Sequence, residues 1–192
     1  MCKNPGPALL LFAATLMLSG SIEVEARVFM TREKALEMVY GEEAEFRRES
    51  VFPTEKQVTR ARSLAGPGVT VREAPLTRYT AWSGERLLGT AYLDTHLVRT
   101  LPQTVLVFVT PAGKVDNIEI LSFDEPGEYL PRANWLEQFD GSLLDDQLAI
   151  GGRIHGMTGA TLSAHAVTDA ARRALAFHLA LASDGRGGEP GP

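Results

Sequence analysis

The spacing of apolar residues divides the chain into a helical start, an extended middle and a helical end. From Thr31 to Tyr40, Ala35, Leu36 and Val39 fall on one side of a helix that Thr31 opens and Gly41 stops. A second helix is predicted from Thr54, where Thr54 and Gln57 have the spacing of a capping box. Val58, Ala61, Leu64 and Ala65 repeat at helical intervals until Gly66-Pro67-Gly68 breaks the run. From Leu76 the period turns to that of strands. Thr77 to Trp82 and Arg86 to Leu93 flank Ser83-Gly84-Glu85 as a hairpin. Thr104 to Thr110 is apolar on both faces and rich in β-branched residues, as expected of a central strand, and Pro111 to Lys114 turn the chain into Val115 to Leu121.

Four strands joined mainly by short turns, with helices at both ends of the chain, predict an α+β domain: an antiparallel sheet packed with helices from both ends. Beyond the sheet, Phe123 to Pro131 reads as a loop and Asn134 to Phe139 as a short helix, with Leu143, Leu144 and Leu148 adding core. The last helix, from about Ser163 to Ala182, places Val167, Ala171, Ala174, Leu175, His178 and Leu181 on one broad face. Its many alanines let another surface approach closely.

Composition narrows the functional classes. A chain of 192 residues, 44% apolar and 22% charged, suits one globular core. A net charge of −5, with Lys and Arg scattered among acids, argues against a nucleic-acid partner. Residues 1–26 have the layout of a secretory signal peptide: Lys3, an apolar run from Ala8 to Leu18, then small residues. That run is too short for a bilayer-spanning helix of about 20 residues. The reading is therefore a leader over 1–26, a domain over 27–182, a disordered Gly- and Pro-rich tail over 183–192, and an exported protein, periplasmic or on the outer face of the cytoplasmic membrane. Cys2 is the only cysteine and falls in the leader, which excludes disulfides, iron–sulfur clusters and CxxCH haem from the mature chain. Four histidines without paired ligand spacing give no zinc site.

The richest chemistry lies in Ile154-His155-Gly156-Met157-Thr158-Gly159-Ala160-Thr161-Leu162-Ser163, just before the last helix. Small residues let a ligand approach the backbone, and the hydroxyls of Thr158, Thr161 and Ser163 stand at a helix mouth that favours anions such as phosphate. No Lys follows a glycine here, so this is not the triphosphate-binding P-loop. On local chemistry alone Thr161 could be a simple N-cap, with Ser163 the alternative cap. His155 could hold the loop, contact phosphate, or be an ordinary polar turn residue.

Thr158-Gly159-Ala160-Thr161 resembles the Ser/Thr-Gly-Ala-Thr motif of the FMN-binding domain family, which includes the flavoprotein subunits of the Rnf and sodium-pumping NADH:quinone reductase complexes. Glu125-Pro126-Gly127 is similar to that family's Glu-Thr-Pro-Gly loop. The resemblance implies one FMN, joined through its phosphate to the hydroxyl of Thr161 by an FAD-dependent flavin transferase that uses a divalent metal. Ser163 is the competing acceptor. The family's Asp, three residues before the Ser/Thr, is replaced by His155. Thr158, Gly159, Ala160, Met157 and Glu125 join the implied cofactor site.

Tyr92 to Thr100 is unusually polar for a strand end. Arg99 and His96 there could face the flavin, a cation at the pyrimidine edge stabilising the reduced ring; the alternative is a solvated strand end with an Asp94 to Arg99 ion pair. Trp82, Tyr129, Trp135 and Met157 could cover the ring or belong to the core. Assembling Ser163, His96 and Asp94 as a hydrolase lacks a nucleophile elbow. With no nicotinamide-binding unit, the expected protein is an electron carrier between membrane or extracytoplasmic redox partners, not a self-sufficient enzyme. The alternative is a non-redox binding module for a phosphorylated or anionic ligand.

Overall fold

A computed structural model describes residues 28–184; the predicted leader, Cys2 and positions 185–192 of the predicted tail lie outside the described residues. The chain runs α1 (Arg32–Tyr40), β1 (Glu45–Val51), α2 (Glu55–Ala65), β2 (Leu76–Ser83), β3 (Arg86–Leu97), β4 (Pro102–Val109), β5 (Val115–Phe123), a short α3 (Ala133–Leu136) and α4 (Thr161–Asp184). The fold is α+β. Its sheet has five strands in sequential order, β1 to β5, every neighbour antiparallel.

The predicted caps form as the sequence requires. Thr31 accepts from Lys34 N–H, and Thr54 and Gln57 complete a reciprocal capping box before α2. Gly41 and Gly66 stop the two helices with positive φ.

Three sequence expectations are corrected. The sheet begins with β1, not at Leu76: Glu45–Val51 is an edge strand whose charged residues mask its alternating burial. Leu143 is 48% exposed and contributes nothing to the core, unlike Leu148, which is fully buried. The last helix is longer at both ends than expected. It starts at Thr161 and continues through Ser183 and Asp184, the first two residues of the predicted tail.

Alternation in the strands gives each sheet face its own core. On one face Leu106 and Phe108 of β4 pack with Ala35 and Leu36 of α1. On the other, Val105, Val107 and Val109 meet Val167, Ala170, Ala171, Ala174 and Leu175 of α4. α2 lies against α4 through Ala61 and Ala65, opposite Ala176 and Ala180, a close approach that the small side chains permit. Arg172 fastens this corner by donating to the carbonyls of Ala65, Asp145 and Leu148, each at 2.8 Å. Among the described residues no helix is long and apolar enough to cross a membrane.

Candidate functional site

The segment before α4 is pinned from beneath. Ile154 is fully buried in the core, while Gly151 N–H donates to its carbonyl at 2.9 Å. The next residue, His155, is held by its backbone: its N–H donates to Gln138 Oε1 and its carbonyl accepts from Trp135 Nε1, both at 2.8 Å. Met157 to Ala160 then form a turn closed by Ala160 N–H to Met157 O at 3.1 Å, with Gly159 at φ 80°. Only a residue comfortable in the left-handed region serves at that point, which is the physical need for the motif's glycine.

Ala164 N–H donates to Ala160 O at 3.1 Å, so α4 begins two residues earlier than expected. Thr161 is the first helical residue and is exposed; its N–H and those of Leu162 and Ser163 precede the first intrahelical bond. Ser163 is therefore not the cap. It sits in the first turn, 1% exposed, facing inward, and its Oγ has no hydrogen-bond partner among the described residues. A buried hydroxyl left unpaired costs roughly 1–3 kcal/mol, so this one is poised for a ligand or water.

A cavity of about 210 Å³ opens beside this turn, lined by Val98, Arg99, Glu125, Tyr129 and the run Gly159 to Ser163. Its far wall is the β3–β4 turn. Glu125 Oε1 accepts backbone N–H groups from Thr100 at 2.7 Å, Leu101 at 2.9 Å and Arg99 at 3.1 Å. The Thr100 bond leads in holding the Glu125 carboxyl below its ordinary pKa against the opposing effect of burial, with Leu101 and Arg99 adding to it. Glu125 thus fixes the loop that presents Arg99, and Pro126-Gly127 lead into a 3₁₀ turn ending at Tyr129.

Six of the sequence-derived site residues meet here: Gly159, Ala160, Thr161, Ser163, Arg99 and Glu125. Thr158, Met157 and His155 stand on the preceding turn and do not line the cavity; His155 and Thr158 are exposed. His96 belongs to a different cavity. Trp135 packs on Phe139 and Trp82 lies under Arg47 toward the other end of the sheet, so of the proposed ring covers only Tyr129 reaches this wall. Val98 and Leu162 were not anticipated, although both adjoin residues that were.

The second cavity, about 370 Å³, lies between the loop before β2 and the surface of β3 and α4. Thr70, Arg72, Leu76, Asp94, His96 and Arg173 are among its lining residues. The alternative Asp94 to Arg99 pair does not form. Asp94 instead accepts two bonds from Arg173, at 2.8 and 2.9 Å, and one from His96 Nδ1 at 2.8 Å, because β3 presents Asp94 to α4 while Arg99 lies in the turn beyond the strand. Burial opposes ionisation of Asp94, but the His96 and Arg173 contacts outweigh it and hold the carboxyl well below the carboxylate range. Farther along, Tyr92 Oη meets His178 Nδ1 at 3.1 Å. Burial, assisted by Arg78, lowers the His178 pKa, so that ring is a core-edge contact rather than a charged one.

Comparison with known families bears directly on the Thr161 cavity. Residues 101–176 match the family model described as FMN-binding domain. Over that stretch the chain is similar to the FMN-binding domain family. It contains Glu125, the whole Thr158 to Thr161 motif and most of α4, and the match supports a flavin-binding protein with FMN as cofactor. No curated protein matches the chain.

The cavity suits the phosphate end of FMN. A turn of small residues, three N–H groups at a helix start, an uncommitted buried hydroxyl and a cation form the donor set that a phosphate monoester or diester requires. At about 210 Å³ it is smaller than the roughly 300–1,000 Å³ of pockets that engulf a whole ligand. The isoalloxazine ring would extend to the mouth, where Leu162 is 51% exposed.

Proposed function

We propose that this chain is an exported flavoprotein electron carrier that holds one FMN at the start of α4, as a phosphoester on Thr161. The observation that carries this reading is the placement of Thr161. The residue is exposed at the first position of α4 and lines the cavity that Ser163 and Arg99 also line, inside the matched FMN-binding segment. An exposed acceptor is what a transferase needs: Thr161 Oγ1 would bond to the FMN phosphorus as the pyrophosphate of FAD breaks, with AMP leaving and the hydroxyl proton passing to a base of the transferase. Ser163, buried within the first turn, is poorly presented to another enzyme.

The flavin supplies the redox chemistry. The protein's residues hold the phosphate with the α4 N–H groups, offset its charge with Arg99, and wall the adjoining space with Val98 and Tyr129. A ring left at the cavity mouth is reachable by partner proteins, which suits relay between external donors and acceptors at the membrane or outside it. His155 acts through its backbone in setting the loop, so attachment depends on a transferase that accepts histidine in the motif.

The test is a visible spectrum of the chain purified after co-expression with a flavin transferase in the same compartment. A yellow protein absorbing at roughly 450 nm supports the carrier. Colourless protein that also takes up no added FMN leaves a non-redox module for another anionic ligand.

A further inference from the structure

The arch that leads to Thr161 is tied to the rest of the protein at very few points. It spans two buried anchors, Ile154 at 0% and Ala160 at 5% exposure, and His155, Gly156, Thr158 and Gly159 between them are exposed. Its own bond, Ala160 N–H to Met157 O, closes the turn without fixing where the turn sits. Apart from that turn, only two hydrogen bonds reach residues 155–159 among the described residues, and both end on the backbone of His155. Gln138 Oε1 accepts from its N–H and Trp135 Nε1 donates to its carbonyl, each at 2.8 Å.

This clamp is built to hold its shape. Trp135 and Gln138 stand three residues apart, in α3 and in the 3₁₀ turn Glu137–Phe139 that continues it, so their side chains share one side. Gln138 Nε2 donates to Trp135 O at 3.0 Å, which leaves the amide oxygen for His155 N–H. The Trp135 ring packs edge-on against Phe139 with 5.4 Å between centroids, and Phe139 lies in the same core as Ile154. The clamp and the buried foot of the arch are thus rooted together. With both backbone groups of His155 taken, a partner enzyme cannot pair a strand with the chain at that residue and has its side chain to read.

We propose that Trp135 and Gln138 are positioning residues for flavin attachment, holding the arch in the conformation from which Thr161 meets the transferase. This inference rests on the FMN reading above. In the step they serve, Thr161 Oγ1 bonds to the FMN phosphorus of FAD and the pyrophosphate P–O bond breaks. AMP leaves with the bonding pair, the hydroxyl proton passes to a base of the transferase, and nothing is oxidised or reduced. Trp135 and Gln138 do not line the Thr161 cavity, so their effect is on population. An arch freed of the clamp visits many conformations, the transferase binds only the fraction that presents Thr161, and its apparent affinity falls by that fraction. The loss therefore appears in KM for the chain, with kcat at saturation little changed.

The experiment incubates the full chain with FAD, magnesium and a flavin transferase, and follows covalent FMN by intact mass over a range of chain concentrations. Trp135→Phe keeps a ring against Phe139 and removes the donor; Gln138→Leu removes the acceptor. Each should raise KM roughly fivefold and the two together about twentyfold, with kcat within about twofold of the parent. Gln138→Glu keeps an oxygen for His155 N–H and should restore most of the loss. Amide exchange at His155 should quicken in Gln138→Leu while β4 stays protected, which shows an intact fold. If Trp135→Phe does not fold, the two Gln138 variants carry the test. Folded variants with the parental KM overturn the proposal, as does a loss confined to kcat. A Gln138→Glu chain as poor as Gln138→Leu also overturns it, because the amide then serves packing alone. A parent that gains no flavin mass overturns the Thr161 reading and this inference together, whereas a modified parent with indifferent variants overturns this inference alone.

Discussion

The two cavities beside the first half of α4 spend their polar groups in opposite ways. In the cleft, Asp94 and Arg173 satisfy each other across 79 residues of sequence, and the pair ties α4 to β3. Around Thr161, the hydroxyls and helix N–H groups are left over: Thr161 is exposed, Ser163 Oγ is unpaired, and the first N–H groups precede the helical ladder. Each has an exception: Glu125 is committed to the backbone of the β3–β4 turn, and in the cleft His96 Nε2 is buried without a partner among the described residues. A polar group already satisfied within the protein maintains the fold; a group left unsatisfied at the wall of a cavity is available for a ligand. The contrast separates residues whose loss should harm stability from those whose loss should harm binding.

The largest stability effect expected from this comparison is at Asp94. Asp94→Ala leaves Arg173 largely buried without its carboxylate, at a cost of about 3 kcal/mol, the low end for breaking a buried pair because both side chains keep some exposure. Urea unfolding of the flavin-free chain measures it. The pH dependence gives a second reading of the same variant. Because the folded pKa of Asp94 is depressed, its contribution is present above the unfolded value of about 3.9 and is lost as pH falls through the lower folded value. The parent should therefore lose stability below about pH 4, and Asp94→Ala should lose less over the same interval.

Ser163→Ala should move stability the other way. Removing an unpaired buried hydroxyl should stabilise the flavin-free chain by up to about 1 kcal/mol, while weakening non-covalent FMN uptake. Opposite signs in unfolding and in FMN titration would sharpen the contrast between the two cavities; loss of stability would show that the hydroxyl serves the fold.

Local devices were legible in the sequence because neighbouring residues cause them. The capping box at Thr54 and Gln57 and the Gly84 hairpin both follow from short-range chemistry. β1 was not legible, since Glu45, Arg47, Arg48 and Glu49 obscure the alternation of an edge strand whose identity depends on pairing with β2. The start of α4 was placed late because Ser163 looks like a cap, whereas the turn at Gly159 already begins the helix at Thr161. Arg99, Glu125 and the motif were singled out separately in the sequence, and their convergence on one cavity depends on the β3–β4 turn docking beside α4. His96 was placed with the flavin by its nearness to Arg99 in sequence. Strand alternation sends it into the adjoining cleft.

The central claim is that Thr161 carries the flavin, and intact mass of the chain co-expressed with a flavin transferase tests it most directly. The parent should gain the mass of one FMN less one water, and Thr161→Ala, exposed and outside the core, should fold normally and gain nothing. Added flavin mass that persists in Thr161→Ala and disappears in Ser163→Ala would contradict the account.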